Sequence, residues 1–397
     1  MARVNPAILL WARETAGLSL QQAAPKVGLK DTRKGSAEDR LAALERGDEE
    51  PARATLLRMV KAYRRPLLTF YMPNPPARAE RGEDFRTLPE DRRADSAAAV
   101  DALLRDVRAR QDGVRAILEE EGAEPLPFIA ALDIDVGPEQ AAAYLGKAIG
   151  FSLERFRNQR GVEAAFSYLR KAAEGAGVFV LLIGNLGSHQ SAISPDVFRG
   201  IALADRVAPF IIINDQDAKS AWSFTLLHEL THLVIGASGI SAGRAEGKVE
   251  RFCNQVASLI LMPDADLKTF DAALARAPEL LGVQQAITEF ANARNLSRPA
   301  VAYRLHLIGV LSQSTWEAVS QAFRDEYLTD RVRQKERDKA SDGAPDYYVV
   351  RRHRIGAPLL DLVRRTLEEG NITPTRAAKI LGVKARNVGT LVSRSAA

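Results

Sequence analysis

Residues 226–236 read LLHELTHLVIG and set two of the chain's five histidines four residues apart, with a glutamate between them, inside an otherwise apolar run. A stretch this rich in Leu, Val and Ile belongs in a core, where ionisable side chains need partners. On a helix, positions i and i+4 share a face, so the imidazoles of His228 and His232 can converge on one point. The H-E-x-x-H spacing suits a tetrahedral ion, with Zn2+ as the expected cofactor. Glu229 lies one step round the helix, beside the ion rather than on it, and is expected to act as general base toward an attacking water. Phe224, Leu226, Leu227, Leu230, Leu233 and Val234 are expected to seat the helix against a sheet and keep the site dry.

An open zinc site needs a third protein ligand. The next predicted helix, GKVERFCNQVASLILMP, stops at Pro263 and places Glu250 and Asn254 four apart on one face. Phe252, Val256, Leu259 and Ile260 supply its apolar stripe. Glu250 is the preferred third ligand; Glu246, nearer the preceding loop, is the competitor. Other ionisable residues have plainer readings. His189 sits in the loop LGSHQSAIS and reads as a surface histidine. One of Tyr303, Arg304 and His306, in AVAYRLHLIG, could donate to a tetrahedral oxyanion, but Tyr303 and His306 read equally as helix-face residues, and all three are left out of the site. Cys253, the only cysteine, excludes an internal disulfide and reads as a small buried hydrophobe.

The 397 residues exceed one ordinary core and suit two or three domains. Asn5-Pro6, Ser19 and a series of glycine stops predict short helices from Asn5 to Leu68, a helical domain over 1–75 with a helix-turn-helix pattern. PNPPARAERGED is proline-rich and non-periodic, and a linker is placed at 76–95. The central domain, 96–328, opens on a long amphipathic helix. It carries three short Val/Ile/Leu-rich strand candidates, in GVFVLLIG, FRGIALAD and APFIIIND, ahead of the histidine helix. A second linker is placed at 329–346, and 347–397 reads as a basic helical tail. The fold class is therefore α+β, mostly helical around a small mixed sheet. SLQQAAPKVGL, EFANARNLSRPAVAYRL and TPTRAAKILGVKARNVGTL share a helix-turn-helix-like pattern, but their spacing is too variable for a repeat architecture.

HELTHLVIG, the E-x-x-x-N of the next helix, the closing LILMP and the strand segments before them resemble the zinc metallopeptidase domain of the ImmA/IrrE family. The N-terminal stretch from NPAILLWARE to YMPNPP is similar to the XRE-type helix-turn-helix often fused to it, and DFRTLP (84–89) recurs after such domains. The resemblance implies a zincin-like peptidase in which His228, His232 and Glu250 bind zinc and Glu229 is the base. It also implies a role in relieving repression by cleaving or antagonising a protein regulator.

The net charge of +5 is unevenly spread: residues 1–80 carry +5, residues 331–397 carry +8, and the middle carries −8. Basic ends invite nucleic acid, yet Glu38 and Asp39 open the presumed N-terminal reading helix and repel phosphate. DNA contact by that domain is expected to be weak and protein docking its main task. Without an apolar run long enough to span a bilayer, and with a single cysteine, a cytoplasmic location is expected. The reading is thus a zinc-dependent metalloendopeptidase acting on a repressor or toxin-system partner. The alternative is a DNA-binding transcription regulator or antitoxin-like module whose zinc is sensory or structural.

Overall fold

The computed structural model describes residues 3–33, 35–76, 93–187, 191–236, 246–267, 270, 279–340 and 346–393. The chain divides into two compact units. The first is residues 1–81, 85–107 and 185–197; the second is 82–84, 108–184 and 198–397.

Local sequence signals set the helices of the first unit. α1 (Pro6–Thr15) begins at proline behind Asn5, whose side chain caps the Ala7 N–H. α2 (Leu20–Lys26) and α3 (Ala37–Arg46) each open on a reciprocal capping box, Ser19 with Gln22 and Ser36 with Asp39. α3 closes on Gly47, which takes the left-handed conformation at φ 83°. α4 (Arg53–Ala62) and a 3-10 turn (Leu67–Tyr71) complete a core of Ile8, Leu9, Leu41, Met59, Tyr63 and Phe70. Within this core Arg13 donates to both oxygens of Glu45, at 2.7 and 2.9 Å, and its third nitrogen reaches the Leu18 carbonyl. Hydrogen bonding to Glu45 raises the Arg13 pKa further.

α5 (Arg93–Glu120) runs through residues of both units. In the second unit follow α6 (Pro138–Ala148), α7 (Leu153–Arg157) and α8 (Val162–Gly175). The three strands come next: β1 (Phe179–Leu182), β2 (Gly200–Leu203) and β3 (Phe210–Ile213), each inside the segment predicted for it. The sheet order is β1-β3-β2, with β3 parallel to β1 and antiparallel to β2. Every strand residue is buried, as near-continuous Val/Ile/Leu/Phe runs require. α9 (Trp222–Val234) crosses β2 and β3, and α10 (Glu246–Leu261) packs against α9 and α6. α11 (Leu280–Asn292), α12 (Arg298–Leu307) and α13 (Gln313–Ala340) follow. The charged stretch 329–346, expected as a linker, is helix as far as Ala340: its Arg, Lys and Glu are good helix formers, and no glycine or proline interrupts them before Gly343.

The tail folds as α14 (Tyr347–Ile355), α15 (Ala357–Glu368), α16 (Pro374–Leu381) and α17 (Ala385–Ser393). It is part of the second unit and is fastened by buried Arg170. That guanidinium donates to Glu174 at 2.8 Å, to the β1 carbonyl of Val180 and to the His353 carbonyl at the end of α14. Gly356 lies against this cluster with φ 88°, where a Cβ would strike the Glu174 carboxylate. Arg354 adds an ion pair to Asp215 at 2.6 Å. The linker at 76–95 lies almost wholly outside the described residues, as do DFRTLP and His189.

Candidate metal centre

α9 is buried almost all round. Leu226, Leu227, Leu230, Leu233 and Val234 are fully inside, Phe224 is partly so, and His228, Glu229 and His232 are buried among them. A helix apolar on every side must be central, and the sheet, α8, α6 and α10 enclose it.

His228 and His232 point the same way: their Nε2 atoms are 3.1 Å apart. Glu250 reaches both from the first turns of α10, with one oxygen 3.2 Å from His228 Nε2 and the other 3.2 Å from His232 Nε2. Among the described residues these three form a group able to hold a metal ion. Of the two candidates for third ligand, Glu250 is the one seen at the histidines; the side chain of Glu246 lies outside the described residues. Asn254, one turn beyond Glu250, accepts from His228 Nδ1 at 3.0 Å. That bond puts the ring proton on Nδ1 and turns the Nε2 lone pair toward His232 and Glu250. Burial pushes the Glu250 carboxyl up, but hydrogen bonds and charge from His228 and His232 outweigh it and hold the group well below the usual carboxylate range.

Three ligand atoms thus converge on one point, an arrangement that a cation would satisfy. The spacing fits a metal. In a tetrahedral shell with bonds of about 2.0–2.1 Å, neighbouring ligand atoms lie roughly 3.3 Å apart, close to the 3.1 and 3.2 Å seen here.

Glu229 is fully buried and does not join the three ligand atoms. It lies against the start of β2, where Gly200 makes room for it. A Cβ on Gly200 would collide with the Glu229 carboxylate and would come within 2.7 Å of the Thr225 methyl. Gly200 was missed in the sequence because nothing local marks it: it sits mid-run in FRGIALAD, and its neighbour is 29 residues on. Asn254 was noticed by spacing, without its partner. The residues left out of the site are engaged elsewhere. His306 stacks on Trp316 at 4.8 Å and meets the Leu311 carbonyl, Tyr303 also lies against Trp316, and Arg304 pairs with Asp264. Cys253 is buried in α10.

What the geometry brings together is a group of two histidines and a carboxylate that is able to hold a metal ion. Residues 187–306, which hold β2, β3 and all of these groups, match the IrrE N-terminal-like domain (Peptidase_M78). The match supports the ImmA/IrrE family, indicates a peptidase, and covers less than half of the chain. No curated protein matches the chain.

Proposed function

We propose that this chain is a zinc metalloendopeptidase acting in the cytoplasm on a protein regulator, a repressor or a toxin-system partner. The carrying observation is the convergence of His228, His232 and Glu250 at tetrahedral ligand spacing. Two imidazoles and one carboxylate form the donor set of catalytic zinc, which needs three protein ligands and an open fourth position. Zinc held there supplies Lewis acidity toward a carbonyl and an acidified water.

The chain's own residues do the rest. Asn254 fixes the His228 ring so that its Nε2 faces inward. Glu229, adjacent to the site and off the ligand set, takes a proton from the attacking water and returns it to the leaving amine. The apolar jacket of α9 excludes bulk water and so strengthens each of these interactions. β2 pairs only with β3 among the described residues, and its Gly200 end abuts Glu229.

A sensory or structural zinc is less well supported, because a closed site has four protein ligands and the group here has three described members. The compartment rests on the single cysteine and on the absence, among the described residues, of a helix long and apolar enough to cross a membrane. The N-terminal unit is assigned to protein docking. α3 opens on Glu38 and Asp39, and Asp39 is held ionised by hydrogen bonds from Ser36. Residues 27–36 also separate α2 from α3, far more than a tight helix-turn-helix turn.

The test is to measure metal content and then cleavage of a random peptide library by mass spectrometry. About one zinc per chain is expected, with cleavage by the wild type that falls by about 10²–10⁴-fold in Glu229→Gln at equal zinc. Absence of bound metal, or equal cleavage by both proteins, overturns the reading.

A further inference from the structure

The tail contains a feature that the peptidase reading does not use. α16 ends at Leu381, Gly382 takes the left-handed conformation at φ 63°, and α17 begins at Ala385. Two short helices separated by three residues, with glycine first, are the local signature of a helix-turn-helix. Ala377, Ala378, Ile380 and Leu381 of α16 and Val388, Leu391 and Val392 of α17 are buried, and the two helices pack on each other and on α15. Packing therefore fixes their relative position.

The outward face of α17 is polar and small. Arg386, Gly389 and Ser393 are exposed and Thr390 is half-buried; this i, i+3, i+4, i+7 set lies on one side of the helix. A Cβ on Gly389 would meet nothing within 4 Å. Charge is the second observation. Between Gly370 and Ser393 the charged residues are Arg376, Lys379, Lys384 and Arg386, with no acid among them. None of the four makes an ion pair among the described residues. Lys379, Lys384 and Arg386 are exposed. The bases of the neighbouring α15 differ: Arg364 lies between Asp361 and Glu368, and Arg365 meets Glu121 at 2.8 Å. Positive charge is thus neutralised on α15 and left open on the α16–α17 face.

We propose that α16 and α17 form a duplex-DNA interface, with α17 entering the major groove through Arg386, Gly389 and Thr390 while Lys379 and Lys384 hold phosphates. A helix fits that groove, and the first half of the second helix in such a motif reads base edges. Arg386 offers a guanidinium suited to guanine, and Gly389 lets the backbone come close.

The experiment uses the full-length protein and a fluorescent duplex pool of about 20 randomised base pairs, roughly two helical turns. Binding is measured across a salt series and followed by recovery and sequencing of bound molecules. Salt-sensitive binding is expected, with a recurrent short motif in the recovered pool. Lys384→Ala should weaken binding to all sequences alike and reduce the salt slope by about 1, whereas Arg386→Ala should also blur the motif at one position. Gly389→Leu meets open space in the protein and should obstruct docking without any change of charge. Lys30→Ala with Arg33→Ala, in the long N-terminal turn, should change little. Bound zinc checks that each variant is folded. No binding by the wild type overturns the proposal. So does a slope unchanged in Lys384→Ala, a loss confined to the N-terminal variant, or tighter binding to single-stranded RNA of equal length.

Discussion

Two of the molecule's buried charge clusters handle their charge in opposite ways. In the N-terminal unit Arg13 and Glu45 answer each other: two parallel bonds join guanidinium and carboxylate, and the third donor finds the Leu18 carbonyl. On α9 and α10, by contrast, His228, His232 and Glu250 turn acceptor atoms toward a common point, and Asn254 holds one ring in that orientation. A self-answering pair is structure. A cluster whose acceptor atoms converge on one point is able to hold a cation from outside.

The largest expected effect lies on the second cluster. His228→Ala or His232→Ala should strip the metal and reduce peptide cleavage to background, measured by elemental analysis and mass spectrometry. Glu229→Gln keeps every ligand, so zinc should stay while cleavage falls by about 10²–10⁴-fold. Metal retained in both histidine variants would put the two clusters back on the same footing.

The first cluster should respond in stability alone. Glu45→Gln leaves the Arg13 guanidinium buried beside a neutral partner and should cost about 3–5 kcal/mol, whereas Arg13→Met with Glu45→Leu should be close to neutral or stabilising. Denaturant midpoints of the full-length protein, compared with zinc content, separate the cases. If the pair is purely structural, neither variant changes metal affinity.

Gly200→Ala sharpens the contrast from the other side. It alters no ligand, but its methyl must displace the Glu229 carboxylate or Thr225. Cleavage should drop by up to about 10²-fold, the scale of a small misplacement of a catalytic group. Zinc content should be unchanged. Wild-type turnover in this variant would remove Glu229 from the chemistry or show β2 yielding.

The sequence carried those parts of the molecule that are written locally. Caps at Asn5 and Ser19, a series of glycine stops and three Val/Ile/Leu runs marked helices and strands within a few residues, whereas the Ser36 cap was not picked out. The i, i+4 rule places His228 beside His232, and the helix pattern singles out Glu250. Contacts between distant segments were not legible. Gly200 yields space to a residue on another element, and Arg170 binds the carbonyl of His353, 183 residues away. The end of α13 was hidden differently: a dense run of charge suits a solvated linker and a solvated helix equally, and only the absence of a breaker before Gly343 favours the helix.

Asn254 gives the smallest and most discriminating test. Its amide touches no metal position; it accepts the Nδ1 proton of His228 at 3.0 Å and so decides which way that ring's lone pair faces. Asn254→Ala should leave the three ligands in place but free the ring to rotate and change tautomer. Loss of such a partner weakens metal binding by about 10–100-fold, which a competition titration against a chelator reads directly. At saturating zinc, cleavage should recover most of its wild-type rate, because Glu229 and the ligands are intact. Asn254→Asp should hold the ring at least as firmly, since a carboxylate accepts the same proton, and should restore affinity. An Asn254→Ala protein with wild-type affinity would mean that packing alone orients His228. The site would then resemble the Arg13–Glu45 pair more closely, with its geometry set by burial rather than by a dedicated hydrogen bond.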